Sequence, residues 1–187
     1  MNWRVKGLLI AILVIIADQL SKYFVVTNIL QVMPDNGFAN WLVQKGEQAE
    51  FVMQKVTSFL NIVMVWNPGV SFGMLQTSQN MVFYGLIAMA LLVSIGFLVW
   101  LWREPTKIRG ITVGLIVGGA IGNVWDRLRF NAVVDFIDVH AGNHHWPAFN
   151  IADSAISIAV AILLIETFFF SKKTEQNATQ NTTRSNA

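Results

Sequence analysis

Four long apolar segments decide what this chain can be. They run from about Gly7 to Asn28, from Met81 to Trp102, from Gly110 to about Trp125, and from Asp153 to about Phe170. A bilayer core of about 30 Å is crossed by about 20 mostly apolar helical residues. Inside lipid every backbone N–H and C=O must be paired within the protein, so a helix is the expected form of each segment. Only 13% of the 187 residues are charged and 54% are apolar, whereas soluble domains carry about 25% charged residues. The prediction is an all-α membrane protein with four transmembrane helices, forming one domain over residues 1–173. The polar, small-residue stretch 174–187 reads as a disordered cytoplasmic tail. Its two N-x-[ST] sequons, at Asn177 and Asn181, are chance matches on that side of a membrane.

The first segment, preceded by Arg4 and Lys6, looks like a signal peptide. However, Asp18, Gln19 and Lys22 stand where a small-residue cleavage site is needed, so it is predicted as a retained helix. Lys and Arg set orientation. Arg4 and Lys6 precede helix one; Arg103, Lys107 and Arg109 lie between helices two and three; Lys172 and Lys173 follow helix four. Both termini are therefore expected in the cytoplasm, with the two long loops outside.

Those loops carry the polar chemistry. Residues 29–80 are too many for a simple connector. "FLNIVMVW" (Phe59 to Trp66) is rich in β-formers and predicts a strand. "NPGVSFG" (Asn67 to Gly73) predicts a turn, with room for a second short strand. "WLVQKGEQAEFVMQKV" predicts an amphipathic surface helix with Trp41, Leu42, Phe51, Val52 and Met53 on its apolar side. The second loop, Asp126 to Ala152, returns to the same surface and gathers Asp126, Asp135, Asp138 and Asp153 at one depth.

Several function classes drop out. A net charge of +2, with no basic run interleaved with aromatics, gives no footing for nucleic acid. Without cysteine there is no disulfide, thiolate metal site or Cys nucleophile. His140, His144 and His145 near Asp138 invite a metal, yet neither spacing nor an H-E-x-x-H motif supports one. Ser71, Ser154 and Lys22 offer a Ser/Lys pair, but no spacing singles one out.

Three constellations remain. Asp18 and Lys22, four apart in "DQLSK", form an ion pair on one helix face and suggest a structural role supporting a site. Gly110, Gly114, Gly118 and Gly122 recur every fourth residue and clear a face for close helix packing. Asn123 and Arg127 extend the outer end of that helix, where they can hold a peptide carbonyl or satisfy loop backbone; spacing leaves both open. Asp135 in "AVVDFIDV" and Asp153 in "FNIADSAI" sit in apolar settings. Two carboxylates at one depth can share a proton and work on a water, or can serve separate structural ends, Asp153 as a helix N-cap.

The motifs "DQLSK", "NPGVSFG", "GGAIGNVWDRLR", "VVDFIDVH" and "FNIADSAI" occur in order. Together they resemble the lipoprotein signal peptidases, the bacterial signal peptidase II family, across nearly the whole chain from helix one to helix four. The resemblance implies a four-helix aspartyl endopeptidase of the bacterial inner membrane, with its active site near the periplasmic face. It would cut signal peptides from diacylglyceryl-modified prolipoproteins just before the lipidated Cys. It implies Asp135 and Asp153 as the catalytic pair, flanking a water, with no metal or cofactor. Asn67, Gly69, Asn123, Arg127 and Asn150 would shape the substrate site, and Asp18 and Lys22 would support it. It further implies a small periplasmic β-cradle and a short surface helix within residues 29–80. The interval around 34–52 is longer than usual for the family, and Ser71 stands where Ala is frequent. The expected partners are prolipoprotein substrates and membrane lipid, and a monomer suffices. The rival reading is a small proton- or ion-coupled transporter subunit using Asp18, Lys22 and Asp153. Against it, the helix pairs show no inverted repeat and the carboxylates cluster at one end.

Overall fold

The fold is taken from a computed structural model that describes residues 2–46, 48–69 and 79–185. Among the described residues, four helices are long and apolar enough to cross a membrane, over Trp3–Ile29, Met81–Arg103, Lys107–Phe130 and Ile151–Phe168. In chain order the elements are α1 (Trp3–Phe24), a π-helical turn (Val25–Ile29), α2 (Phe38–Val43), β1 (Met53–Lys55), β2 (Leu60–Asn67), α3 (Gln79–Arg103), α4 (Lys107–Phe130), β3 (Val133–Ala141), β4 (His144–His145) and α5 (Ile151–Ser185).

α4 is the central helix, with α1, α3 and α5 packed around it. Its glycines explain why α1 comes so close. A Cβ on Gly114 would lie 2.6 Å from the Gly7 carbonyl, and one on Gly118 would lie 2.7 Å from the Ala11 carbonyl. Gly122 ends the stripe: a Cβ there would meet the Asp18 carboxylate at 2.8 Å. Gly119 clears a second face, where the Ala152 carbonyl of α5 would be 2.5 Å from an added Cβ. The repeat therefore packs helices, as its spacing predicts, and its last step also makes room for a charge.

The sheet caps one end of the bundle in the order β1-β2-β3-β4, all pairs antiparallel. β2 carries the predicted strand and is bulged between Ile62 and Val65. Beneath it lies a core of Val26, Trp41, Met64, Phe130, Val134 and Phe136, joining α1, α2, α4 and the sheet.

The structure departs from the sequence reading in four places. α4 does not stop near Trp125 but runs to Phe130 and ends on Asn131 in the left-handed conformation (φ 58°), so Asp126, Arg127 and Arg129 lie on a helix and not in a loop. The surface helix is confined to Phe38–Val43; residues 44–46 and 48–52 lie outside any element and Met53–Lys55 pairs with β2. An available ladder on β2 outcompetes the amphipathic pattern there. α5 starts at Ile151 and continues to Ser185, past the end predicted near Phe170. No Gly or Pro follows Pro147 to stop it. Finally, Asp153 is not the cap residue of α5: Asn150 occupies that place. The predicted second strand after Asn67, with Ser71, lies outside the described residues.

Candidate active site

The site forms where α1, α4, β3 and the start of α5 meet. Asn150 organises it. Its side-chain Oδ1 accepts the Asp153 backbone N–H at 2.9 Å, and the Asp153 carboxylate accepts the Asn150 N–H at 3.4 Å. This reciprocal pattern satisfies two orphan donors at the helix start. The same Asn150, fully buried, turns its Nδ2 to Asp135 Oδ1 at 2.7 Å, Asn123 Oδ1 at 3.1 Å and the Val134 carbonyl at 3.2 Å. One residue thus touches both candidate carboxylates, Asp135 through its side-chain amide and Asp153 through its backbone N–H.

Asp135 is 1% exposed on β3. Its Oδ2 accepts the Asn67 amide at 2.9 Å. Asn67 is itself locked, because its Oδ1 accepts the Gly69 N–H at 2.8 Å. Gly69 has φ +85°, and a Cβ there would come 2.3 Å from Leu86 Cδ1 and 3.3 Å from Arg127 Nη2; only glycine fits that corner. Burial, and after it the nearby Asp153 charge, push the Asp135 carboxyl up to about 7, against the opposing hydrogen bonds of Asn67 and Asn150. Asp153, in the first turn of α5, is less buried and accepts the Asn123 amide at 2.7 Å. The helix N-terminus favours an anion at that position. Arg127 donates from Nη1 to the Asn123 carbonyl at 3.4 Å, and its guanidinium is within electrostatic reach of Asp153, Asp135 and Asp126.

Under this pair lies a buried ion cluster. Lys22 Nζ donates to Asp18 Oδ2 and Asp126 Oδ2, both at 2.7 Å, and the side chains of all three are shut from solvent. Asp18 Oδ1 then accepts the Ala152 N–H at 3.1 Å, and Asp126 Oδ2 accepts the Val134 N–H at 3.2 Å. Each cluster carboxylate therefore holds the backbone one residue before Asp153 or Asp135. Gln19 bonds both Asp18 and Asp126 through Nε2, at 3.1 and 2.9 Å. Arg129 Nη2 reaches Gln19 Oε1 at 2.7 Å and Asp126 Oδ1 at 3.0 Å. Lys22 is committed to carboxylates, and Ser154 Oγ donates to the Asn150 carbonyl at 2.9 Å, so these two make no Ser/Lys pair.

All nine residues singled out in the sequence (Asp18, Lys22, Asn67, Gly69, Asn123, Arg127, Asp135, Asn150 and Asp153) converge here. Sequence reasoning missed Gln19 and Arg129 and gave Asp126 no role. A signal existed: Asn123, Asp126 and Arg129 recur every third residue, which marks one polar face once α4 is continued past Trp125. By contrast, Asp138 and the histidines lie apart from the pair. Asp138 Oδ2 accepts the Asn61 amide at 2.7 Å, and His145 Nδ1 lies 2.9 Å from the same carboxylate.

The profile of the family described as signal peptidase (SPase) II matches residues 10–169. The chain belongs to that family. It is an aspartic-type peptidase and a multi-pass membrane protein. The lipoprotein signal peptidase of Methylocella silvestris is 34% identical, over 90% of this chain and 89% of its own. That of Francisella tularensis subsp. novicida is 36% identical, over 91% and 96%, and that of Acinetobacter baumannii is 45% identical, over 66% and 71%. Two solved structures, each described as a bacterial membrane enzyme, share 27% identity with it. One matches over 87% of both chains with a TM-score of 0.63; the other matches over 87% of this chain and 92% of its own, at 0.65. Membership of the signal peptidase II family and the carboxylate pair at one end of the helices point to the same chemistry.

Proposed function

We propose that the chain is an intramembrane aspartyl endopeptidase that cuts the signal peptide from diacylglyceryl-modified prolipoproteins, just before the lipidated Cys, with Asp135 and Asp153 as its catalytic pair. The observation that carries the mechanism is the Asn150 bridge: its side-chain amide binds the Asp135 carboxyl group and its backbone N–H binds that of Asp153. Asp135, buried and pushed up to about 7, keeps the shared proton. Asp153, at the start of α5, is the base. In the first step Asp153 takes a proton from a water held between the two, and the hydroxide adds to the scissile carbonyl carbon. In the second, the C–N bond breaks as Asp135 gives its proton to the leaving amine. Asn67 and Asn123 orient the two carboxyl groups. Arg127, Gly69 and Asn150 shape the surface that receives the peptide, Gly69 by bringing the chain close to the guanidinium.

The lipoprotein signal peptidases named above support the substrate class. The positive-inside distribution supports cytoplasmic termini and a sheet end facing the periplasm of the inner membrane. Such a placement suits hydrolysis of a lipid-anchored peptide, because acyl chains and signal helix stay in lipid while water arrives from outside. One chain supplies every residue the mechanism uses, so a monomer is sufficient. The test is cleavage of a diacylated prolipoprotein by Asp135→Asn and Asp153→Asn. Each near-isosteric change is expected to lower the rate by about 10³-fold in a protein that still folds and inserts. Full cleavage by either variant overturns the assignment.

A further inference from the structure

Arg129 links the buried cluster to the surface helix α2. On one side its Nη2 donates to Gln19 Oε1 and Asp126 Oδ1. On the other, Nη1 donates to the backbone carbonyl of Trp41 in α2, and the guanidinium lies 4.9 Å from the centre of the Trp41 ring and 4.6 Å from that of Phe130. Trp41 is itself almost wholly buried and packs on Phe130 and Tyr23. A buried guanidinium that loses a hydrogen-bond acceptor is left with an uncompensated donor in an apolar setting. Lifting α2 away would strip Arg129 of both the Trp41 carbonyl and the ring over its face. The strained partner would then be Asp126, whose other oxygen holds the Val134 N–H beside Asp135.

We propose that Arg129 is a positioning residue that couples the seating of the surface helix α2 to the placement of Asp135, through Asp126 and the Val134 amide. Two further bonds fasten the same strap to α4 without touching the ion cluster: Trp125 Nε1 donates to the Leu42 carbonyl at 3.2 Å, and Gln48 Nε2 donates to the Phe130 carbonyl at 3.1 Å. The first seats α2 itself, so loosening it tests the coupling from the α2 side without altering a cluster group. A guanidinium is required for the double duty. Its rigid fork supplies donors in two directions at once, and its flat face stacks on aromatics, whereas an ammonium does neither.

The coupling rests on the peptidase reading only where turnover is measured, so the experiment has two arms. Full-length protein in lipid nanodiscs is compared with Arg129→Lys, Gln19→Met and Trp125→Phe. Amide hydrogen exchange is followed at Val134 and at 38–43, and kcat and KM on a diacylated prolipoprotein peptide. Arg129→Lys is expected to speed exchange at both places and to lower kcat by about 10-fold with KM little changed, as misplacement of a reacting group does. Gln19→Met leaves both ion pairs of Asp126 in place and is expected to move the same two places in the same direction, more weakly; it decides the matter if Arg129→Lys fails to fold. Trp125→Phe touches no cluster group and loosens α2 from its outer side; it is expected to speed exchange at 38–43 and, more weakly than Arg129→Lys, at Val134, with a smaller fall in kcat. Unchanged Val134 exchange, or unchanged kcat, in both cluster variants overturns the coupling, as does faster exchange at 38–43 in Trp125→Phe with Val134 exchange unchanged. Asp135→Asn runs alongside: if it cleaves normally, the assignment of the catalytic pair fails, and the exchange arm still judges the tether.

Discussion

Asp135 and Asp138 stand three residues apart on β3, and their surroundings drive them in opposite directions. Side chains alternate across a strand, so the odd spacing points the two carboxyl groups to opposite faces. Asp135 looks into the bundle, toward Asn150 and the ion cluster, and burial carries its carboxyl up to about 7. Asp138 looks away. Burial raises its carboxyl, but the Asn61 amide and the His145 and His140 rings together outweigh this and hold it below the usual carboxylate range. Both carboxylates are buried and accept an Asn amide at similar length. The type of partner therefore does not distinguish the two; the sign of the neighbouring charge does.

The comparison breaks most sharply at the carboxylates themselves. Asp135→Asn is expected to remove about 10³-fold of the cleavage rate. Asp138→Asn, measured in the same assay, is expected to change it by less than about 2-fold, because Asp138 bonds Asn61 and His145 and neither Asp135 nor Asp153. Next comes the support beneath each. Lys22→Met strands two buried carboxylates and is expected to lower stability by roughly 3–5 kcal/mol, read from thermal or denaturant unfolding in detergent. The corresponding loss on the surface, His145→Ala, is expected to cost no more than about 1 kcal/mol. Asn150→Ala removes the cap of α5 and is expected to cost about 1–2 kcal/mol in the same measurement. Smallest is the pH effect. Asp135 holds its proton in the folded state up to about 7 against an ordinary 3.8, so its contribution to stability falls as pH rises through that interval. The singly protonated pair is lost above about pH 7 for the same reason, and kcat is expected to decline there. Asp138 has the opposite sign: it contributes at neutral pH, and that contribution fades as pH falls through its lowered value. A pH–rate profile of Asp138→Asn is expected to keep the wild-type alkaline limb.

The sequence made the four crossings legible because a lipid-facing helix has to be apolar along its whole exposed surface. Spacing and setting singled out Asp18, Lys22, Asn123, Arg127, Asp135 and Asp153, whereas Asn67, Gly69 and Asn150 came only through the resemblance to the signal peptidase II family. What it hid lies where hydropathy and burial part company. Arg129 and Asp126 are charged, so they read as loop, yet they are buried against α1 and α2 and the helix runs on through them. Gln19 is silent beside Asp18 until α4 arrives along its glycine stripe. Met53–Lys55 follow a helical pattern weakly, and their fate was settled by the β2 edge alongside them, a partner that periodicity cannot see. Asp153 read as a cap because Asn150, three residues earlier, looked like the end of a loop.

The buried cluster also has a consequence for how the chain is made. Its four charges come from only two helices. Asp18 and Lys22 are one turn apart on α1, and Asp126 and Arg129 are nearly one turn apart on α4. Each of the two helices thus carries an ion pair of its own at this depth, so neither Asp18 nor Asp126 depends on the other helix for a counter-ion. With the glycine face of α4 against α1, both pairs persist and Lys22 gains Asp126 as a second partner. Joining the helices is what turns two self-contained pairs into a single support for the site.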